Sequence, residues 1–133
     1  MLTPFKQGTI LLASRDEDLA AMVAGILRDL EGAPRLTTVR SELDCIVALR
    51  LLGPSLVLLD DGIRESSGRA LLDRVLDARP GTPVVYVAAQ HSLDLERDVR
   101  RRGVLFYLAR LEEKSVLASR LGYILQGLTR GAR

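Results

Sequence analysis

Residues 54–62 read PSLVLLDDG: an apolar run, Leu56 to Leu59, that ends on two adjacent carboxylates, Asp60 and Asp61, and a glycine. A run so short and so uniformly apolar fits a strand buried on both faces, as in a parallel sheet. TILLA (9–13), PVVYVAA (83–89) and VLFYL (104–108) have the same character, and RLTTV (35–39), less apolar, reads as an edge strand.

Helical patterns lie between these runs. Leu19, Met22, Val23, Ile26, Leu27 and Leu30 recur at three- and four-residue steps and make one apolar stripe. Ser14 and Glu17 precede that stripe with capping-box spacing, which predicts Ser14 as the N-cap. A second helix is predicted over about 41–52 with Ser41 as N-cap. A third carries Leu71, Leu72, Val75 and Leu76 and stops before Pro80-Gly81. A fourth, about 92–102, has Leu93, Leu95 and Val99 among many charges, so it should be held weakly and be mobile. A fifth carries Leu117, Leu121, Ile124, Leu125 and Leu128.

Strand followed by helix, five times, predicts an α/β protein of flavodoxin-like (βα)5 type: a three-layer sandwich around a parallel sheet in the order 2-1-3-4-5. In that order the chain reverses direction between strands 1 and 3. Ligands bind in the crevice outside their carboxyl ends. The residues just past those ends are Ser14-Arg15 and Asp60-Asp61.

With 133 residues, 47% hydrophobic and 27% charged, the chain suits a single domain over 1–133, with a core at about 9–128 and tails or linker at 1–8 and 129–133. No apolar stretch approaches the roughly 18 residues of a membrane helix, and MLTPFKQG lacks a signal-peptide pattern. No membrane partner is expected, and a cytoplasmic location is the default. The single cysteine, Cys45, cannot form an internal disulfide, in agreement with a reducing compartment, and reads as a small packing residue. The net charge is +2, almost all the basic residues being arginine. The basic run ERDVRRRG (96–103) reads as a solvated helix end, because no recognition-helix motif accompanies it; direct nucleic-acid binding is not expected.

PSLVLLDDGIRESSGRALLDRV, GTPVVYVAA and RGVLFYLAR, in this order and spacing, resemble the receiver domain of bacterial response regulators over about 9–128. The resemblance places Asp60 on the phospho-acceptor position, Gly68 on a glycine of the following loop and Tyr107 on the switch aromatic. It implies phosphoryl transfer to a carboxylate, with Mg²⁺ held by carboxylates and a carbonyl, and a hydroxyl and a lysine on the phosphoryl oxygens. This chain departs at each of those places. The acidic pair is Ser14 and Arg15, the hydroxyl position is Ala88, and the lysine position is Arg110, followed by Leu111.

A slip that offers Asp16 with Asp60 as metal ligands rotates Leu19, Met22 and Val23 off the core face, at roughly 1.5–3 kcal/mol per side chain. The acids at 16–18 read instead as a first helical turn. Asp61 reads as a solvated loop acid. Arg15 reverses the local charge; it either pairs with Asp60, joined by Arg110, in the metal's place, or points to solvent beside an inert pocket. With a methyl group at Ala88, coupling from Asp60 to Tyr107 is expected to be weak.

Receivers commonly use the face made by helix 4, strand 5 and helix 5 for partners. Here Phe106 reads either as a covered core residue or as a partly outward one, with Arg97, Arg100 and Arg101 on one side and Glu112 and Glu113 on the other; if outward, this is the composition of an interface anchor. His91 has no second His or Cys placed to share a metal. The expectation is a degenerate, pseudo-receiver type of domain: a signalling and protein-interaction module independent of phosphorylation, not an enzyme. It needs no cofactor or metal and meets a protein partner or a second copy through that face. One alternative is a competent receiver, phosphorylated on Asp60 with Mg²⁺ by a histidine kinase. Another is a small-molecule sensor for a nucleotide or flavin, which the absence of Trp and of a phosphate-binding glycine loop disfavours.

Overall fold

The structure is a computed structural model and describes residues 8–30, 32, 34–63, 68–110 and 114–131. The strands are β1 (Thr9–Ala13), β2 (Arg35–Val39), β3 (Leu56–Asp60), β4 (Val84–Ala88) and β5 (Phe106–Ala109). The helices are α1 (Glu17–Arg28), α2 (Glu42–Leu52), α3 (Gly68–Ala78), α4 (Leu93–Arg101) and α5 (Lys114–Gly131), and a 3-10 turn, Asp61–Ile63, follows β3. All strand pairs are parallel, in the order β2-β1-β3-β4-β5, the predicted topology.

The two-residue alternation of the strands sorts the core into two layers. Leu11, Val57, Leu59, Tyr86 and Tyr107 face α2, α3 and α4, packing with Cys45, Leu49, Leu71, Val75 and Val99. Ile10, Leu12, Leu56, Leu58, Val85, Val87 and Leu108 face α1 and α5, packing with Leu19, Val23, Leu27, Leu121 and Leu125. Every residue of β3 and β4 is buried, which is why those segments are continuously apolar. β2 lies at one edge and is mostly part-exposed, as its composition predicts.

Helix starts follow the sequence at α2 and α4, where Ser41 and Ser92 accept N–H bonds from Asp44 and Leu95. At α1 the predicted cap is corrected. Asp16, not Ser14, is the N-cap, its Oδ1 accepting from the N–H groups of Asp18 and Leu19. Ser14 is engaged elsewhere, because its hydroxyl is directed at Asp60. α2 ends on Gly53, whose φ of 54° is the left-handed conformation a helix C-cap favours. Among the described residues no helix is long and apolar enough to cross a membrane.

Candidate functional site

Parallel order brings the carboxyl ends of β1, β3, β4 and β5 to one edge of the sheet, and with them Ser14, Asp60, Ala88 and Arg110. Asp60 is the last residue of β3 and is fully buried. Its Oδ2 accepts from the Ser14 hydroxyl at 2.6 Å and from Arg110 Nη1 at 2.9 Å, and its Oδ1 accepts from the Gly62 N–H at 3.0 Å. Gly62 leaves room for this contact, which a side chain here would crowd. A Cβ at this position would stand 3.2 Å from Asp60 Oδ1 and 3.3 Å from Arg110 Nη1.

Arg110 is placed by its own backbone, whose N–H bonds the carbonyl of Ala88 at 2.9 Å and extends the β4–β5 ladder by one residue. Its guanidinium joins two carboxylates, Nη1 on Asp60 and Nη2 on Asp16. The cation expected from Arg15 is therefore supplied by Arg110. The Arg15 side chain is exposed, and its Nε donates to the Arg40 carbonyl at 3.0 Å, at the β2 edge. The reason is directional: successive residues leave a strand end on opposite sides. Ser14 takes the side toward Asp60, and Arg15 leaves on the other.

Asp61 corrects the expectation of a solvated acid. It is buried, its Oδ2 accepting from the Tyr86 hydroxyl and its Oδ1 from the Ala89 N–H, both at 2.7 Å. Asp60 and Asp61 do diverge, but into different protein surroundings. Asp61 lands over the sheet face that carries Tyr86.

The carboxylates at this edge are engaged by protein groups. The oxygens of Asp60 face an arginine, a hydroxyl and an N–H, while Asp61 is turned to Tyr86 and Ala89. The second carboxylate, Asp16, is capping α1 with one oxygen and holding Arg110 with the other. Among the described residues no group of three or more His, Cys, Asp or Glu side chains is placed to hold a metal ion. Ala88 is fully buried and presents only a methyl group.

Tyr107 lies inward, 7% exposed, its ring parallel to that of Tyr86 with centroids 5.9 Å apart. Its hydroxyl is 2.9 Å from His91 Nδ1. Burial, then the charges of Glu96 and Asp61, push the Tyr107 phenol above its ordinary pKa. On the neighbouring surface Phe106 is 39% exposed and Leu105 44% exposed. Arg97, Arg100 and Arg101 are exposed on α4, Arg100 bonded to Glu96 and Arg101 to Asp98. Glu112, Glu113, Leu111 and the serines at 66 and 67 lie outside the described residues.

Sequence reasoning missed Tyr86, the contact of His91 with Tyr107, the bond from Asp16 to Arg110 and the buried state of Asp61. Tyr86 was hidden in the apolar run PVVYVAA, where its ring counts as core. Its hydroxyl was the available signal, since a buried phenol needs a partner.

No protein-family model matches the sequence, and no curated protein matches it either. Among solved structures the chain is similar to the signal receiver domain of a Luxo repressor protein from Vibrio parahaemolyticus, at 21% identity and a TM-score of 0.75, over 94% of this chain and 95% of that one. It is similar to the phosphorylated cyanobacterial phytochrome response regulator RcpA, at 22% identity and a TM-score of 0.73, over 95% and 94% of the two chains. The CheY-like receiver domain protein of Methanospirillum hungatei JF-1 aligns at 17% identity and a TM-score of 0.73, over 94% and 98%. The chain has the fold of response regulator receiver domains.

Proposed function

We propose that the chain is a receiver-fold signalling module, a single domain over 1–133, whose acceptor pocket is closed by its own side chains and which works by binding another protein, without phosphorylation. The observation that carries this reading is the bridge made by Arg110 between Asp60 and Asp16. A phosphoryl group arriving at Asp60 brings further negative charge and needs a cation that neutralises it. Here Arg110 is already committed to two carboxylates, Ser14 covers the same Asp60 oxygen, and no hydroxyl stands at Ala88. The activity is therefore recognition rather than catalysis, and it needs no Mg²⁺.

The partner surface is the α4–β5 face. Phe106 and Leu105 offer exposed apolar area beside the arginines of α4, a composition suited to an aromatic anchor with a charged rim. A protein partner or a second copy of the chain fits it.

Intact-mass spectrometry after incubation with acetyl phosphate and Mg²⁺ tests the reading. The mass is expected to stay that of the unmodified chain. Hydroxylamine-labile gain of one phosphoryl group, lost in Asp60→Asn, would establish a working acceptor instead.

A further inference from the structure

Tyr86 and Tyr107 are register partners on β4 and β5, stacked on the sheet face that carries α4. Their hydroxyls have different partners. Tyr86 donates to Asp61 at the pocket, while Tyr107 is bonded to His91 in the loop before α4. His91 Nε2 is 4.0 Å from a carboxylate oxygen of Glu96 on α4, and Glu96 also accepts from Arg100 Nε at 2.8 Å. The Arg100 guanidinium lies 5.9 Å from the centroid of the Tyr107 ring.

The carboxylate beyond Nε2 favours a proton on that nitrogen and leaves Nδ1 to accept from the phenol. Burying the Tyr107 hydroxyl without a partner is costly. Ala88 offers none, so the inward position of Tyr107 depends on a group outside the sheet. The His91 side chain supplies it, beside the backbone N–H of Ser92, which also bonds the phenol oxygen. Stacking then carries the arrangement to Tyr86, and the Tyr86 hydroxyl carries it to Asp61.

We propose that His91 is a positioning residue that latches Tyr107 over Tyr86, and that the latched pair couples Asp61 at the pocket to α4 with no hydroxyl at position 88. This deepens the reading above, because it names what sets the state of the α4–β5 face. It is read on the tyrosine itself, so it stands or fails separately from whether Asp60 accepts a phosphoryl group.

NMR of the full chain with ¹³C-labelled tyrosine rings and ¹⁵N-labelled amides tests it. The expected result is one Tyr107 side-chain rotamer in the unmodified protein, rotamer averaging with displaced α4 amide signals in His91→Ala, and recovery in His91→Asn. The asparagine side chain can place an acceptor oxygen near the position of Nδ1. His91 is at the surface, so the alanine variant should fold. Asp61→Asn should shift α4 amides in the His91 background and lose that effect in His91→Ala. An unchanged Tyr107 signal in His91→Ala, failure of asparagine to restore it, or an Asp61→Asn effect equal in both backgrounds would overturn the latch and leave plain packing.

Discussion

At Asp60 a fully buried carboxylate meets the Arg110 guanidinium, the Ser14 hydroxyl and the Gly62 N–H. Truncating one partner of a buried ion pair leaves the other charge uncompensated, at about 3–5 kcal/mol. Arg110→Ala should therefore lower unfolding free energy in urea by about that much, whereas Arg15→Ala, an exposed side chain, should stay within about 0.5 kcal/mol. Equal losses for the two would return Arg15 to the pocket. A second prediction concerns Cys45, whose thiol burial pushes up from 9.0 to about 11, helped by Glu42 and opposed by Arg74. The folded pKa is the higher one. This contribution is therefore intact below the unfolded value and is lost as pH rises toward the folded one. Relative to Cys45→Ala, the unmodified chain should lose about 2–3 kcal/mol of stability across that window. Parallel stability curves for the two proteins would refute the shift. At this scale the sequence showed which residue types gather at the pocket, because topology decides that. It did not show which arginine reaches Asp60, because that turns on the direction in which Ser14 and Arg15 leave β1.

α4 illustrates what composition hides at the level of an element. Its few apolar residues suggested a weak hold, and Val99 is indeed its one fully buried side chain among those described. Two charges at its C-terminal end, Asp98 and the capping Arg102, are however paired with α3. Arg102 Nε and Nη2 contact the two oxygens of Asp73 at 2.6 and 3.3 Å, and Arg69 on α3 pairs with Asp98. These contacts join residues 29 positions apart, a separation at which helical periodicity carries no information. Ion pairs at such exposure contribute about 0–1 kcal/mol each. Asp73→Ala should therefore speed amide hydrogen exchange in α4 by a few-fold and leave α1 and α5 unchanged. Exchange in α4 identical to the unmodified chain would show that Val99 and Leu95 alone hold the helix. The helices themselves were legible, since their apolar stripes and the serine caps of α2 and α4 follow local rules. The α1 cap was misread because Ser14 answers to Asp60, 46 residues away.

Across the whole molecule, strand order follows from five alternating units and the handedness of their crossovers. That order alone brings Ser14, Asp60, Ala88 and Arg110 to one sheet edge. The receiver architecture is retained, and the pocket at its usual position is satisfied internally. The central claim is that this closure removes the capacity to bind Mg²⁺ with a phosphoryl mimic. The control is a variant carrying Ser14→Asp, Arg15→Asp, Ala88→Thr and Arg110→Lys, which restores the acidic pair, the hydroxyl and the lysine at once. The most direct measurement is NMR titration of both proteins with beryllofluoride in millimolar Mg²⁺. The account predicts amide shifts around Asp60 and α4 in the restored variant and none in the natural sequence. A saturable, Mg²⁺-dependent complex of the natural sequence, abolished by Asp60→Asn, would contradict it.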